Sequence, residues 1–86
     1  MSEFRLTHHA REEMARRQIA EEIVVGIMGD PEQIVEERSG RKAYQSRIEM
    51  NGKQYLVRLI VEDQEQPNVV VTLYRTSNIA KYWRLS

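Results

Sequence analysis

Apolar and polar positions alternate along two runs, Lys42–Met50 and Lys53–Glu62, which flank Asn51-Gly52. A third apolar run, Asn68–Tyr74, follows a polar break at Asp63–Pro67. Asn-Gly between alternating runs predicts a two-residue type I′ hairpin, because that turn needs positive φ at both central residues. Met50 then faces Lys53, which sets Ile48 opposite Tyr55, Ser46 opposite Val57, Tyr44 opposite Leu59 and Lys42 opposite Val61. Side chains alternate across a strand, so Tyr44, Ile48, Met50, Tyr55, Val57, Leu59 and Val61 share one apolar face. The other face carries Ala43, Gln45, Arg47, Glu49, Gln54, Leu56, Arg58 and Ile60. Such a mixture suits an antiparallel sheet with one side partly in water. In the third run Val69, Val71 and Leu73 go with the core, and Val70, Thr72 and Tyr74 with the mixed face. A slip of one residue would reverse every assignment.

The N-terminal half is helical in period. Ser2–Leu6 alternates weakly, as an edge strand or a tail. Thr7 is an N-cap for a helix through about Arg17, with Glu12 and Glu13 preceding Arg16 and Arg17 in the favourable i,i+4 order. Its apolar stripe, Leu6, Ala10 and Met14, is narrow. A second helix from about Ala20 to Met28 presents Ile19, Ala20, Ile23, Val24 and Ile27 on one broad face for burial against the sheet. Gly29-Asp30-Pro31 ends it. Gln33–Arg38 reads as a strand turned at Ser39-Gly40 into Lys42–Met50, and Tyr82-Trp83 marks Ile79–Arg84 as a docked terminal segment. The expected fold is α+β: two N-terminal helices packed on one face of a four-stranded antiparallel sheet (α-α-β-β-β-β), then a short C-terminal segment, in a single domain over residues 1–86.

Composition narrows the function classes. At 86 residues, 41% hydrophobic and 30% charged, the chain fits one globular domain and not a disordered one. Its 13 basic and 13 acidic residues cancel, so nucleic-acid binding would depend on a local patch. With no cysteine, disulfides, thiolate chemistry and the usual structural zinc ligands are excluded. No metal or cofactor is expected. No apolar segment approaches membrane-spanning length, and Met1–Arg5 lacks the apolar stretch of a signal peptide, so a cytoplasmic location is expected.

Three groups of residues could carry chemistry. His8-His9 opens the first helix. Either histidine hydrogen-bonds a nearby glutamate or caps the helix; alternatively His9 and Arg16, two turns apart, line a site where imidazole moves a proton. Adjacent histidines diverge on a helix and no third ligand follows at helical spacing, so a metal site is not indicated. On the mixed sheet face, Arg58 is surrounded by Gln45, Arg47, Thr72 and Tyr74. Its fork of donors suits phosphate and tyrosine can stack on a base, although a solvated face or one covered by the C-terminal segment explains the same pattern. Glu49 is the carboxylate expected near Arg58. At the C-terminus, Arg75, Lys81, Tyr82, Trp83 and Arg84 interleave cations with aromatics, as single-stranded nucleic acid or simple anchoring of the tail would require.

Taken together, His9-Ala10, Met14, Arg17, Ile19, Asp30-Pro31, the strands, Val71-Thr72-Leu73-Tyr74-Arg75-Thr76-Ser77 and Lys81-Tyr82-Trp83 resemble a small family, domain of unknown function 4258, from about Leu6 to Arg84. Gln18 departs from the pattern, where glycine is expected between the helices. That family is similar in fold to the RelE and BrnT ribonuclease toxins. The resemblance implies a metal-independent endoribonuclease, with His9 as base or acid, Arg58 as phosphate clamp and Tyr74 as a stacking or proton-transferring group. Arg16, Arg47, Arg75, Lys81 and Tyr82 would bind RNA, and an antitoxin-like protein would be a partner. The competing expectation is a non-enzymatic protein-binding module whose edge strand Gln33–Arg38 accepts an added strand.

Overall fold

The computed structural model describes residues 3–85. In chain order they form β1 (Phe4–Leu6), α1 (His8–Arg17), α2 (Glu21–Gly29), β2 (Gln33–Glu36), a 3-10 turn (Arg38–Gly40), β3 (Lys42–Met50), β4 (Lys53–Glu62), β5 (Asn68–Thr76) and the single-turn α3 (Ile79–Tyr82). No helix among these residues is long and apolar enough to cross a membrane. The expected segment from Ser2 begins outside the described residues, and its described part is a true strand.

The hairpin forms in the predicted register, from Met50 opposite Lys53 to Lys42 opposite Val61. Asn51 and Gly52 take φ of 53° and 79°, the positive pair that a type I′ turn demands. The sheet, however, has five strands in the order β1-β5-β4-β3-β2 and is mixed, not four-stranded and antiparallel. Phe4–Leu6 joins it parallel to Asn68–Val70. A three-residue strand carries too little periodicity to announce a partner this distant. Thr7 secures it: the hydroxyl donates to Val71 O at 2.8 Å and accepts the Ala10 N–H at 2.9 Å. One side chain thus caps α1 and ties it to β5.

At the end of α1, Gln18 adopts φ 56°, ψ 48° and donates its N–H to Ala15 O. This is the left-handed position for which glycine is the usual residue. Ile19 follows into the core. In α2 the buried face is Val24, Ile27 and Met28, while Ala20 at the cap is exposed, because the helix begins one residue later than its apolar pattern suggests. β2 stops at Glu36 instead of Arg38, where Ser39 and Gly40 turn the chain with φ of 66° and 76°.

The main core lies between the helices and one sheet face, where Ala10, Ile19, Val24, Ile27 and Met28 meet Val57, Leu59, Val61, Val70 and Leu73. Val70, not Val71, belongs to it. Thr72 pairs with Ile60 and Val70 with Val61, which leaves Val71 as an extra residue and reverses the alternation beyond it. The opposite face also departs from expectation. It is not partly solvated around its centre: Ala43, Gln45, Leu56 and Arg58 are all buried there. The C-terminal tail covers Gln45 and Arg58.

Candidate nucleic-acid site beneath the C-terminal tail

Arg58 occupies the middle of β4, beside Gln45 on β3 and Tyr74 on β5. Only 3% of it is exposed. A guanidinium in that position needs partners on every nitrogen, since an unpaired buried charge is strongly unfavourable. It has them. Nε donates to Gln45 Oε1 at 2.7 Å, Nη1 to the Tyr74 hydroxyl at 2.6 Å and Nη2 to Glu37 Oε2 at 2.9 Å. The Tyr82 ring lies over it with its centroid 4.5 Å from Cζ, and meets Tyr74 edge-on at 6.2 Å. Gln45 Nε2 in turn donates to Gln33 Oε1 at 2.9 Å and Tyr82 O at 3.2 Å, fastening the tail to the sheet.

Burial works against the charge on Arg58, but the bonds to Glu37 and Tyr74 outweigh it, so its pKa stays above the usual arginine range. Burial pushes the Tyr74 phenol up, and the guanidinium beside it counteracts part of that rise. Because the Tyr74 oxygen accepts from Nη1, its own hydrogen is free to point elsewhere. Glu37 resembles it in this respect: Oε2 is held by Arg58, Oε1 has no protein partner among the described residues, and the side chain is 32% exposed. One buried cation therefore positions a carboxylate and a phenol, each with its reactive position left open.

The model of a family described as Domain of unknown function (DUF4258) matches residues 6–75. The chain belongs to that family. No curated protein and no solved structure matches it. The matched span of the DUF4258 domain includes Glu37, Arg58 and Tyr74 and ends before α3.

Of the expected site residues, Arg58 and Tyr74 come together and His9 does not join them. Ala10 packs α1 on the face that Val57 and Leu59 present, whereas Arg58, between those two, points to the other side of the sheet. His9 is exposed on the helical side, so His9, Arg58 and Tyr74 cannot form one catalytic centre. His8 lies 3.3 Å from Glu12 and Arg16 lies 3.3 Å from Glu13, also on that helix. Arg75, opposite Val57, shares the helical face, where it sits 4.6 Å over the Tyr55 ring and 3.3 Å from Met50 Sδ. Arg47, Lys81 and Tyr82 belong with the tail. Arg47 is bound by Glu32 through Nε and Nη2, each at 3.1 Å, and its Cζ lies 4.1 Å from the Trp83 ring centroid.

Two expectations are corrected. The carboxylate that neutralises Arg58 is Glu37, not Glu49. Alternation from Gln33 and Val35 puts residue 37 on the Arg58 face, but only once β2 is registered on β3, with Gln33 opposite Gln45. Nor does Arg58 stand as an exposed clamp in an open cleft, since Tyr82 roofs it. A cleft of about 400 Å³ beside Phe4, Leu6, Arg11 and Glu21 adjoins β1 and contains none of these groups.

Proposed function

We propose that this DUF4258 domain is a metal-independent endoribonuclease in which Glu37 takes the part first expected of His9. The observation that carries the reading is the Arg58 fork, which bridges the Glu37 carboxylate and the Tyr74 hydroxyl while leaving Oε1 and the phenolic hydrogen available. Oε1 of Glu37 would take the proton of a ribose 2′-hydroxyl, and the resulting oxygen would attack the adjacent phosphorus. Tyr74 would deliver its proton to the departing 5′-oxygen, giving a 2′,3′-cyclic phosphate and a 5′-hydroxyl. Arg58 would remain behind both groups, attracting the developing phenolate in a site of low dielectric. Lys81, exposed with its ammonium 5.3 Å from the Tyr82 ring centroid, would hold substrate phosphate. A kinship with the RelE and BrnT toxins, which the sequence pattern alone suggests, would imply the same chemistry.

The test is cleavage of an oligoribonucleotide in the presence of EDTA. Glu37→Gln and Tyr74→Phe should each lower the rate about 100-fold or more while circular dichroism stays unchanged. Variants that cleave as fast as the parent would remove both groups from the mechanism.

Closure by the tail favours a second reading, a protein-binding module. With Arg58 and Gln45 covered, β2 is an edge of the sheet among the described residues, and its Ile34 is 54% exposed. An extended segment of an antitoxin-like partner could add there as a further strand. Absence of cleavage in the parent, with RNA moving no amide resonance of β3–β5 and a candidate partner shifting those of β2, would establish this alternative.

A further inference from the structure

The outer side of the tail bears a feature that the chemistry at Arg58 does not use. Arg47, Ile79, Ala80, Trp83 and Leu85 line a cleft of about 380 Å³. Leu85 stands at its lip 86% exposed, and Trp83 is only partly buried. Glu32 holds Arg47 through its side chain and through its backbone N–H at 2.7 Å, and Arg47 in turn supports the indole. The ring therefore rests on a sheet residue that is itself anchored by Glu32. The Lys81 and Arg84 side chains are exposed, and neither has a carboxylate partner among the described residues. Arg47 is neutralised by Glu32, whereas Lys81 and Arg84, next in sequence to the lining residues Ala80 and Leu85, add two cations to the same tail.

An aromatic and aliphatic cleft on a tail that carries two exposed cations suits a flat base joined to a phosphate better than a purely aliphatic side chain. We infer that this cleft is a stacking subsite for one base of single-stranded RNA, with the adjoining phosphate on Lys81 or Arg84. The inference rests on the ribonuclease reading for its substrate class and extends it. Tyr82 covers Arg58 and the next residue, Trp83, covers Arg47, so a base held at Trp83 would bring the neighbouring nucleotide toward the catalytic cluster.

Trp83 is the single tryptophan of the chain, which makes its emission a direct reporter. The experiment titrates the whole protein with a 2′-O-methyl oligoribonucleotide, which cannot be cleaved by attack of the 2′-oxygen. Saturable quenching is expected. The Lys81→Ala/Arg84→Ala double variant should bind about 10-fold more weakly and with a shallower salt dependence. Trp83→Leu, followed by anisotropy of a labelled oligonucleotide, should lose a factor of roughly 10. Should Trp83→Leu disturb docking of the tail, the exposed double variant still decides the matter. Unchanged affinity in the double variant, or equal quenching by base-free polyphosphate, would overturn the subsite. Saturable, base-dependent quenching in a protein that cleaves no RNA would instead retain the subsite and discard the ribonuclease reading.

Discussion

Arg58 shows how much a single buried cation can organise. Its three hydrogen bonds join β4 to β3, to β5 and to the end of the β2 segment, and its flat face receives Tyr82. Arg58→Met keeps much of the volume and removes all of these bonds. It should cost about 3 kcal/mol of unfolding free energy in urea denaturation, because Gln45 and the Glu37 carboxylate would lose their partner in a largely buried place. Arg58→Lys retains the charge but not the planar fork, so it should recover less than half of the loss. Equal stability of Arg58→Met and parent would show that the network contributes specificity alone. At this scale Arg58 and Tyr74 were legible as neighbours, because strand alternation is local. Glu37 was not, since its place depends on how a separate strand registers.

Among the elements, the two turns behave differently. Asn51-Gly52 is well matched to its backbone, and the β3–β4 hairpin follows from it. Gln18 is poorly matched: it holds a left-handed conformation that crowds any Cβ. Gln18→Gly should relieve that strain, offset in part by the greater freedom of glycine in the unfolded chain. A net gain of about 0.5–1 kcal/mol is expected, seen as a higher thermal midpoint with unchanged circular dichroism. No gain would mean that contacts of the Gln18 side chain outweigh the strain. The bulge at Val71 was hidden for the opposite reason. Three consecutive valines fit either alternation, so the pattern contains nothing to choose between Val70 and Val71 for the core.

For the whole molecule, two layers lie against one sheet: the helices on the apolar face and the tail on the mixed one. Glu32 links loop, sheet and tail through Arg47, whose side-chain and backbone hydrogen bonds hold the Glu32 carboxylate below the ordinary value of 4.5. A depressed folded pKa means that this link stabilises the protein above pH 4.5 and is lost as pH falls through the depressed value. Glu32→Gln should therefore be less stable than the parent near neutrality, with the difference vanishing at the acid end of a denaturation series. Trp83 emission should report loosening of the tail in the same range. A constant difference across pH would exclude the carboxylate as its source.

The sequence by itself determined the N-cap of α1, the hairpin and its register, the division of β3 and β4 into two faces, and the place of two helices ahead of β2–β5. All of these follow from neighbours a few positions apart, whose backbone preferences and alternation act before any distant contact forms. Tertiary structure alone decided the parallel addition of β1, the pairing of Glu37 with Arg58 across 21 positions, the clasp of Gln33 on Arg84 across 51, and the separation of His9 from the polar cluster. Those depend on which surfaces meet once the chain has closed its long loops. There, Tyr82 closes over Arg58 and Gln45, which no local pattern announces.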